Sequence, residues 1–321
     1  MAAKDPGASR DGVKLTNLDQ SLFDGAEATK GDLVDYLDAM SDRIIPVLED
    51  RPLSVVRVHR DQAPFMQKNV PKYAPDFVRT VSYWAATSRR NVAYALCDDR
   101  PTLLWFANQR AVEYHPTLIT ASAPEHATHL VLDLDPPEGS DFEVVVRVAG
   151  LVRAALDDAG LEGAVKTSGA KGLHVFVPID PGIDLADAAA ATRSLAERAA
   201  LLDPAIATTE FVKDDRGDRV FVDATRVGGA TVVAAYSPRV RAGTTVSMPV
   251  RWEDLEDISP RDFTLRSVPA LLDGSDPWRE RMPAPQSLPA DVVADGHEID
   301  GGRVKAMHEG KRRARERRAA D

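Results

Sequence analysis

The spacing of apolar residues predicts short strands that alternate with amphipathic helices. Apolar residues recur at helical spacing from Leu33 to Ile44, directly after Thr29-Lys-Gly-Asp32, which has the pattern of a capping box. Pro46 is expected to bend or end this helix. Short apolar runs predict strands at residues 53–58, 92–96, 112–115, 129–135, 164–167, 173–178, 219–223 and 230–236.

Further helices are predicted between these strands. One runs through Leu103, Leu104 and Phe106, one from about 141 to 159 with Ser140 as its N-cap, and an alanine-rich one from about 185 to 202. Because strand-rich and helix-rich pieces are interleaved, the predicted fold class is α/β or α+β with a central sheet. We expect a flexible leader at 1–12, a domain at 13–290 with parts of about 13–120 and 121–282, and a linker with a basic tail at 291–321.

Composition indicates a folded protein of a reducing compartment. The 321 residues are 44% hydrophobic, which suffices for a sizeable core. Cys97 is the single cysteine, which excludes a disulfide framework and a multi-cysteine zinc site and fits the cytosol. No apolar run approaches the ~20 residues of a membrane span, and residues 1–12 lack the apolar core of a signal peptide. We therefore expect a cytoplasmic protein without a membrane partner.

Charge is distributed unevenly along the chain. The net charge is −10, but residues 303–321 carry eight Lys and Arg against three Asp and Glu, so the remaining residues hold −15. A basic tail that includes Lys311, Arg312 and Arg313 is expected to bind nucleic acid electrostatically. A solvated, helix-prone tail without a partner is the alternative interpretation.

The segment His129–Asp135 carries the strongest chemical signal. It is an apolar strand that ends in Asp133 and Asp135, and side chains two residues apart on a strand point to the same face. Two adjacent carboxylates repel each other unless a cation lies between them, which predicts Mg²⁺ or Mn²⁺ and hence phosphate chemistry. A solvated surface pair is the alternative, and the preceding buried strand argues against it.

A glycine-rich turn, Thr167-Ser-Gly-Ala-Lys-Gly-Leu-His174, is the second motif. Gly169 and Gly172 allow close backbone approach, so successive N–H groups can cradle phosphate oxygens. Ser168 and Lys171 add a hydroxyl donor and a positive charge, and His174 lies on the strand that follows. The alternative is an ordinary hairpin turn with an incidental lysine. The motif is not a P-loop, because the spacing that defines a P-loop is absent.

Two later segments extend the phosphate hypothesis. The predicted strand at 219–223 ends in Asp223, which would complete a site for two cations ~3.5–4 Å apart. Arg239 follows the predicted strand at 230–236 and has the geometry to hold a phosphate with two nitrogens. A surface arginine is the alternative interpretation of Arg239.

Three functions remain open from these motifs. The first is two-metal nucleotidyl transfer, and the second is a haloacid-dehalogenase-like phosphatase with Asp133 as nucleophile, since Gly217-Asp-Arg-Val-Phe-Val-Asp223 resembles its acidic motif. Pro137 occupies a position where that phosphatase has Thr or Val, and residues 219–223 predict a strand where it needs a loop. The third is a non-catalytic DNA-binding module, which would be expected to lack a catalytic carboxylate.

Several segments in order carry a family resemblance, and they are LTNLDQSLF, ATKGDLVDYL, PFMQKNVPKY, LLWFANQRAVEYHP, HLVLDLDPPEG, KTSGAKGLHVFVP, DRVFVDATR and VAAYSPR. Together they resemble the archaeo-eukaryotic primase superfamily, and most closely the polymerase module of bacterial ligase D and its stand-alone mycobacterial-type relatives. The resemblance extends over about residues 14–290. It implies a primase-polymerase fold, with a central mixed or antiparallel sheet flanked by helices and an N-terminal subdomain.

The resemblance also implies roles for individual residues. The implied metal ligands are Asp133, Asp135 and Asp223, the nucleotide-binding residues His115, Ser168, Lys171, His174 and Arg239, and the DNA-binding residues Lys30 and Phe65. Lys30 would hold a 5′-phosphate and Phe65 would stack on a base; from the sequence alone, His115 and Phe65 would be buried structural residues. Gln20 stands where the family often has a second lysine, and Met66 replaces a second aromatic.

The activity implied by the resemblance is that of a DNA-dependent RNA/DNA primase-polymerase. Such an enzyme adds NTPs or dNTPs to a primer 3′-hydroxyl, with two Mn²⁺ or Mg²⁺ ions per site and a preference for Mn²⁺ and for ribonucleotides. The implied partner is gapped or primed duplex DNA, which is 5′-phosphorylated in the family's substrates. The implied setting is gap filling in non-homologous end joining in the cytoplasm at the nucleoid, with a separate ligase and an end-binding protein.

Overall fold

The computed structural model describes residues 8–59, 62–85, 89–227 and 230–299. Its helices and strands in chain order are β1 (Ser9–Arg10), β2 (Val13–Lys14), α1 (Lys30–Ala39), α2 (Ser41–Leu48), β3 (Leu53–His59), β4 (Gln62–Gln67), β5 (Thr80–Ala85), β6 (Arg90–Ala95), α3 (Arg100–Asn108), β7 (Ala111–Pro116), β8 (His129–Asp135), α4 (Phe142–Asp158), β9 (Ala164–Thr167), β10 (Leu173–Pro178), α5 (Leu185–Leu202), β11 (Ala207–Thr208), β12 (Val220–Asp223), β13 (Pro249–Val250), α6 (Val268–Leu272), α7 (Pro277–Arg281) and α8 (Ala290–Glu298).

Contacts divide the described chain into two compact units. The first contains the described residues of 1–124 together with 166–170 and 231–281, and the second contains those of 125–165, 171–230 and 282–321. The break at Pro124 lies near the predicted boundary at about 120, but two later segments group with the N-terminal residues. Long-range hydrogen bonds explain this, since the Tyr36 hydroxyl donates to the Tyr236 carbonyl (2.8 Å) and the Thr167 N–H donates to the Met248 carbonyl (2.8 Å).

The first unit combines an antiparallel sheet with several helices, of which α1 and α3 begin with a side-chain cap. Its strands follow the order β4-β3-β6-β5, and β7 also pairs with β3. The capping box at α1 is confirmed, because the Asp32 N–H donates to Thr29 Oγ1 (3.1 Å) and the Thr29 N–H donates to Asp32 Oδ2 (2.7 Å). The predicted helix through Ile44 is interrupted at Met40, which ends α1 and precedes α2, and Pro46 lies inside α2.

The second unit is built on a mixed sheet with the strand order β11-β12-β8-β10-β9. Strand β8 pairs antiparallel with both β10 and β12, whereas β11 and β12 are parallel. Helices α4 and α5 pack against each other and against β8. Leu132 and Leu134 of β8 are fully buried, and the alternation of side chains places Asp133 and Asp135 on the opposite face. The α+β class with a mixed sheet and flanking helices is confirmed.

Helix α8 corrects the expectation of a linker from residue 291. It packs against α5 in the second unit, where Gly296 lies directly on the backbone of Ala190. Arg198 of α5 holds α8 through Asp291 (2.9 Å) and Asp295 (2.7 Å). These contacts join segments about a hundred residues apart, so a window of local sequence rich in Pro, Ala and Gly does not reveal them.

Three further local predictions differ from the structure. Residues 8–12 are not a free leader, because β1 and β2 form a hairpin across Asp11 and Gly12, which both have positive φ as a type I′ turn requires. The N-cap of α4 is Asp141 and not Ser140. Residues 230–236 do not form a regular strand; positive φ at Tyr236 (66°) bends the chain, although the Ala234 N–H still donates to the Tyr114 carbonyl (2.9 Å).

Within the ranges that the structure describes, no helix has the length and apolar character needed to cross a membrane.

Candidate active site

The register of the mixed sheet aligns the predicted acidic residues of the second unit. Asp133 lies at the centre of a cross-strand row, with Asp223 of β12 as its partner on one side and His174 of β10 on the other. Directly opposed residues on neighbouring strands project to the same face. His174 Nε2 lies 3.3 Å from Asp133 Oδ1. The three residues that the motifs predicted separately therefore form one continuous row.

Asp135 extends this row on the same face of β8. Its side chain is about half exposed and lies between two cations, with Lys171 Nζ 3.5 Å from Oδ1 and an Arg216 nitrogen 3.6 Å from Oδ2. Lys171 also donates to the Pro136 carbonyl (2.6 Å), and the Arg216 guanidinium lies 3.7 Å from the centre of the Phe221 ring. The glycine-rich turn thus places its lysine beside Asp135.

Charge compensation keeps Asp133 ionised although its side chain is only 15% exposed. Burial by itself would raise the pKa of this carboxyl group, but the charge and hydrogen bond of His174, followed by those of Arg226, lower the pKa well below its usual range. Arg226 Nη2 lies 2.7 Å from Asp133 Oδ2 and 2.9 Å from Asp223 Oδ2. Asp133 is therefore ionised at neutral pH.

Gly172 permits the close approach of the turn to β8. A Cβ atom at this position would lie 2.0 Å from the Leu134 carbonyl oxygen, so the site has no room for a side chain. Lys171 and His174 flank this contact and consequently reach the same strand end.

The donor chemistry of this face fits a divalent metal ion. Asp133, Asp135 and Asp223 offer carboxylate oxygens on adjacent strands, and hard divalent cations prefer such ligands. As the side chains stand, no three His, Cys, Asp or Glu residues within the described part of the chain are grouped around one ion position. Arg226 and Arg216 neutralise the carboxylates instead, so the negative charge is matched by cations of the chain itself.

The first unit holds a second polar cluster around Glu113. Glu113 Oε2 accepts from His115 Nε2 (2.8 Å), its Oε1 accepts the Val240 N–H (2.9 Å), and Arg239 Nε lies 3.1 Å from Oε1. Burial would raise the pKa of Glu113, but the hydrogen bond from His115 and the charge of Arg239 lower it to about 2. Burial lowers the pKa of His115, so a neutral imidazole donates to an ionised carboxylate.

The first half of the glycine-rich turn belongs to this cluster. Arg239 Nη1 donates to the Ser168 carbonyl, and Thr245 Oγ1 donates to the Gly169 carbonyl (2.5 Å). Gly169 has φ +67°, and a Cβ there would lie 2.7 Å from Arg239 Cγ. The structure therefore brings together His115, Ser168 and Arg239 in the first unit, and Lys171 and His174 with the carboxylates in the second.

Lys30 and Phe65 have contrasting environments in the first unit. Lys30 is only 3% exposed, and its ammonium group donates to the Thr16 carbonyl (2.5 Å). The Phe65 side chain is 36% exposed on β4, with the His59 ring stacked on it at 5.6 Å. The alternative that Phe65 is a core residue is therefore wrong. Lys311, Arg312 and Arg313 lie outside the residues that the structure describes.

Sequence motifs did not identify every residue of these clusters. Arg226 lies within the segment DRVFVDATR, but an arginine three residues after a strand has no distinctive spacing. Arg216 and Glu113 were also missed, because their contacts depend on strand register and on loops distant in sequence. The two arginines could have been suggested only by their closeness in sequence to Asp223, since paired carboxylates need positive charge nearby.

The fold and the carboxylate face define the class of the protein. A mixed sheet that presents three carboxylates on adjacent strands, beside a lysine-bearing turn, is suited to metal-dependent chemistry on phosphates, and this is the class of enzyme that the site indicates. The strand Val220–Asp223 lies where the phosphatase alternative needs a loop, so the structure does not favour that alternative.

Comparison with known proteins gives the family. The sequence model described as "LigD, primase-polymerase domain" matches residues 29–278, and the chain belongs to this family, whose members are metal-dependent nucleotidyltransferases. It is 32% identical over 261 residues to the bifunctional non-homologous end joining protein LigD of Bacillus subtilis, covering 80% of this chain and 42% of that protein.

Two mycobacterial comparisons agree. The multifunctional non-homologous end joining DNA repair protein LigD of Mycobacterium tuberculosis H37Rv is 32% identical over 290 residues, covering 86% of this chain and 38% of that protein. The polymerase domain of M. tuberculosis ligase D, solved in complex with DNA, matches with a TM-score of 0.77 and 30% identity, covering 84% of this chain and 97% of that one. The chain spans about two fifths of the length of these curated relatives.

Proposed function

We propose that this protein is a template-directed polymerase, which adds nucleotides to the 3′-hydroxyl of a primer on DNA. The observation that carries the proposal is that Asp133 and Asp223 lie directly opposite each other on the paired strands β8 and β12, with Asp135 on the same face. The family supports it, since the similar polymerase domain of M. tuberculosis ligase D was solved with DNA. In the proposed reaction the primer oxygen bonds to the α-phosphorus of the nucleoside triphosphate, and pyrophosphate leaves.

Asp133, Asp135 and Asp223 would hold the divalent ions, and we propose Mn²⁺ or Mg²⁺ with two ions per site. When bound, such ions acidify the attacking hydroxyl group and neutralise charge on the phosphates. His174 orients Asp133 through the contact at 3.3 Å, and the burial of Asp223 limits competition by water for its oxygens. The low pKa of Asp133 means that no proton has to be removed before a cation binds at neutral pH.

We assign nucleotide binding to His115, Ser168, Lys171, His174 and Arg239. Lys171 and Arg239 supply positive charge for phosphate oxygens, and Ser168 supplies a hydroxyl donor beside the backbone of the turn. Glu113 positions both His115 and Arg239, because its Oε2 accepts from His115 and its Oε1 lies 3.1 Å from Arg239 Nε. These cations offset the charge that develops on the leaving pyrophosphate.

DNA is proposed to contact three regions. The exposed ring of Phe65 is available for stacking on a base, which typically contributes ~1–3 kcal/mol. Lys30 is assigned to a 5′-phosphate on gapped DNA, and Lys311, Arg312 and Arg313 to the phosphate backbone. We propose gap filling in end joining at the nucleoid, with ribonucleotides preferred and with a DNA ligase activity and an end-binding protein as partners.

Primer extension tests the proposal. Asp133→Asn and Asp223→Asn each remove a carboxylate without changing its size, so we expect extension with Mn²⁺ to fall by at least about a hundredfold. Asp291→Asn is the matched control, because Asp291 also pairs with an arginine in the second unit but lies on α8. Near-normal extension by either active-site variant, or hydrolysis of a generic phosphatase substrate that depends on Asp133, would overturn the assignment.

A further inference from the structure

Arg226 makes a contact that the proposed catalytic roles do not use. It lies three residues beyond β12, and a single nitrogen, Nη2, contacts Oδ2 of both Asp133 (2.7 Å) and Asp223 (2.9 Å). The two aspartates are direct partners in the register of β8 and β12. The guanidinium group therefore lies at the point between two carboxylates where a bridging cation belongs.

Electrostatic repulsion between Asp133 and Asp223 favours a positive charge between their carboxylates. The Asp133 and Asp223 side chains are 15% and 8% exposed, so water screens their mutual repulsion poorly. Like charges on directly opposed strand positions are destabilising. Arg226 offsets this repulsion in the structure, because its Nη2 atom lies within 3 Å of an oxygen of each carboxylate.

The guanidinium group of Arg226 is only partly satisfied: Nη2 contacts two carboxylates, but Nε does not form a hydrogen bond with any residue that the structure describes. Its Nε atom is buried and has no hydrogen-bond partner among the described residues. A buried polar group without a partner is costly, so this arrangement is less favourable than a fully satisfied arginine. Lys171 and Arg216, by contrast, lie 3.5 and 3.6 Å from the more exposed Asp135.

We propose that Arg226 is an internal placeholder for a divalent ion. It occupies the position between Asp133 and Asp223 in the metal-free protein, and the incoming ion displaces it. The inference rests on the proposed metal site. It has two consequences: Arg226 stabilises the metal-free fold, and it weakens the apparent metal affinity, because the ion must compete with a charge that is already present.

Metal binding without nucleotide or DNA tests this inference. Free Mn²⁺ is counted by electron paramagnetic resonance during titration of the wild type, Arg226→Gln and Arg198→Gln. We expect Arg226→Gln to bind Mn²⁺ at least about tenfold more tightly, because the competing cation is gone. Arg198→Gln is the matched control, since Arg198 also bridges two aspartates in the second unit, and its Mn²⁺ affinity should equal that of the wild type. Unchanged or weaker Mn²⁺ binding by Arg226→Gln overturns the inference.

Thermal unfolding supplies a readout that does not depend on activity. Without metal, Arg226→Gln should melt at a lower temperature than the wild type, and Mn²⁺ should raise its Tm by more than it raises that of the wild type. If the variant does not fold without metal, titration of the wild type with diamagnetic Mg²⁺ replaces it. The Nε–Hε resonance of Arg226 should then shift while that of Arg198 does not, and a static Arg226 resonance overturns the inference.

Asp133→Asn separates this inference from the proposed function. If Asp133→Asn binds Mn²⁺ as tightly as the wild type, the metal site is elsewhere, and the proposed function and the Arg226 inference both fail. If Asp133→Asn loses Mn²⁺ while Arg226→Gln binds it no more tightly than the wild type, the metal site stands and the placeholder role alone is wrong.

Discussion

Lys30 illustrates how burial changes the chemistry of a single side chain. Its ammonium group is buried beside the Thr16 carbonyl, and the loss of water, together with the nearby charge of Arg110, lowers its pKa to about 8. An ordinary lysine keeps its charge up to a pH near 10. Lys30 therefore loses its charge close to neutral pH, and this gives its proposed contact with a 5′-phosphate a pH dependence.

Recognition of a 5′-phosphate is expected to weaken between pH 7 and pH 9. Because the pKa of Lys30 is lowered, its charged form is depleted over this range, and its attraction for phosphate falls with it. Fluorescence anisotropy with gapped DNA, with and without a 5′-phosphate, measures the preference as a ratio of affinities. Lys30→Arg stays charged throughout and should hold a constant ratio. A constant ratio in the wild type would show that Lys30 is not the phosphate contact.

Glu113 gives a second prediction at the residue scale. Its pKa is lowered to about 2 in the folded protein, so its stabilising contribution is present above the unfolded-state value near 4.5 and is lost as the pH falls toward 2. Glu113→Gln should reduce the free energy of unfolding by roughly 3 kcal/mol at pH 7, because it leaves Arg239 without its buried partner. Urea denaturation at pH 7 and pH 3.5 should show a smaller difference at the lower pH; an equal difference at both would contradict the assignment.

At the scale of elements, the packing of α8 on α5 depends on one glycine. A Cβ atom at Gly296 would lie 1.8 Å from the Ala190 carbonyl oxygen, so the two helices could not approach as closely. Arg193 reinforces the contact by donating to the Gly296 carbonyl (2.9 Å). The helix is thus held in place by a backbone contact that tolerates no side chain.

Gly296→Ala is expected to destabilise the protein by about 1–3 kcal/mol, because overpacking forces the helices apart. Gly150→Ala is the control, since Gly150 lies in α4 with no atom within 4 Å of its Cβ position. That substitution should leave stability unchanged or raise it by up to about 1 kcal/mol, as expected for alanine in a helix. Urea denaturation measures both; equal effects would mean that the contact at Ala190 does not limit the packing.

At the scale of the whole molecule, the residues near the C-terminus are basic, whereas the rest of the chain is acidic. Deletion of residues 303–321 removes eight Lys and Arg, so DNA affinity should fall and its dependence on salt should become less steep. The slope of log K against log salt is expected to decrease by about 0.9 for each phosphate of duplex DNA that the shortened protein no longer neutralises. Filter binding at salt concentrations from roughly 50 to 200 mM measures this slope, because DNA affinity changes strongly over that range.

A triple variant provides the control for this deletion. Lys311→Gln, Arg312→Gln and Arg313→Gln together remove three charges but keep the length, and should give a slope between those of the wild type and the truncated protein. If the deletion leaves the slope unchanged, the basic tail does not contact DNA.

Sequence patterns located most of the candidate site because its ligands follow recognisable elements. Asp133 and Asp135 lie at the end of an apolar strand, and Gly172 and Lys171 lie in a turn of distinctive composition. The same approach failed at residues 230–236, where an apolar run predicts a strand but Tyr236 adopts positive φ. Local composition cannot detect such a bend, since the hydrogen bonds that support it come from distant segments.

By itself the sequence determined many of the segments that become helices and strands, and which side chains are chemically able to bind a metal or a phosphate, because periodicity, capping and side-chain chemistry are local properties. Only the tertiary structure decided which of these side chains meet. The register of β8 with β12 places Asp223 opposite Asp133, and Arg226 reaches Asp133 across 93 residues of sequence. Such contacts depend on the pairing of distant strands, where a shift of one residue would turn each side chain to the other face.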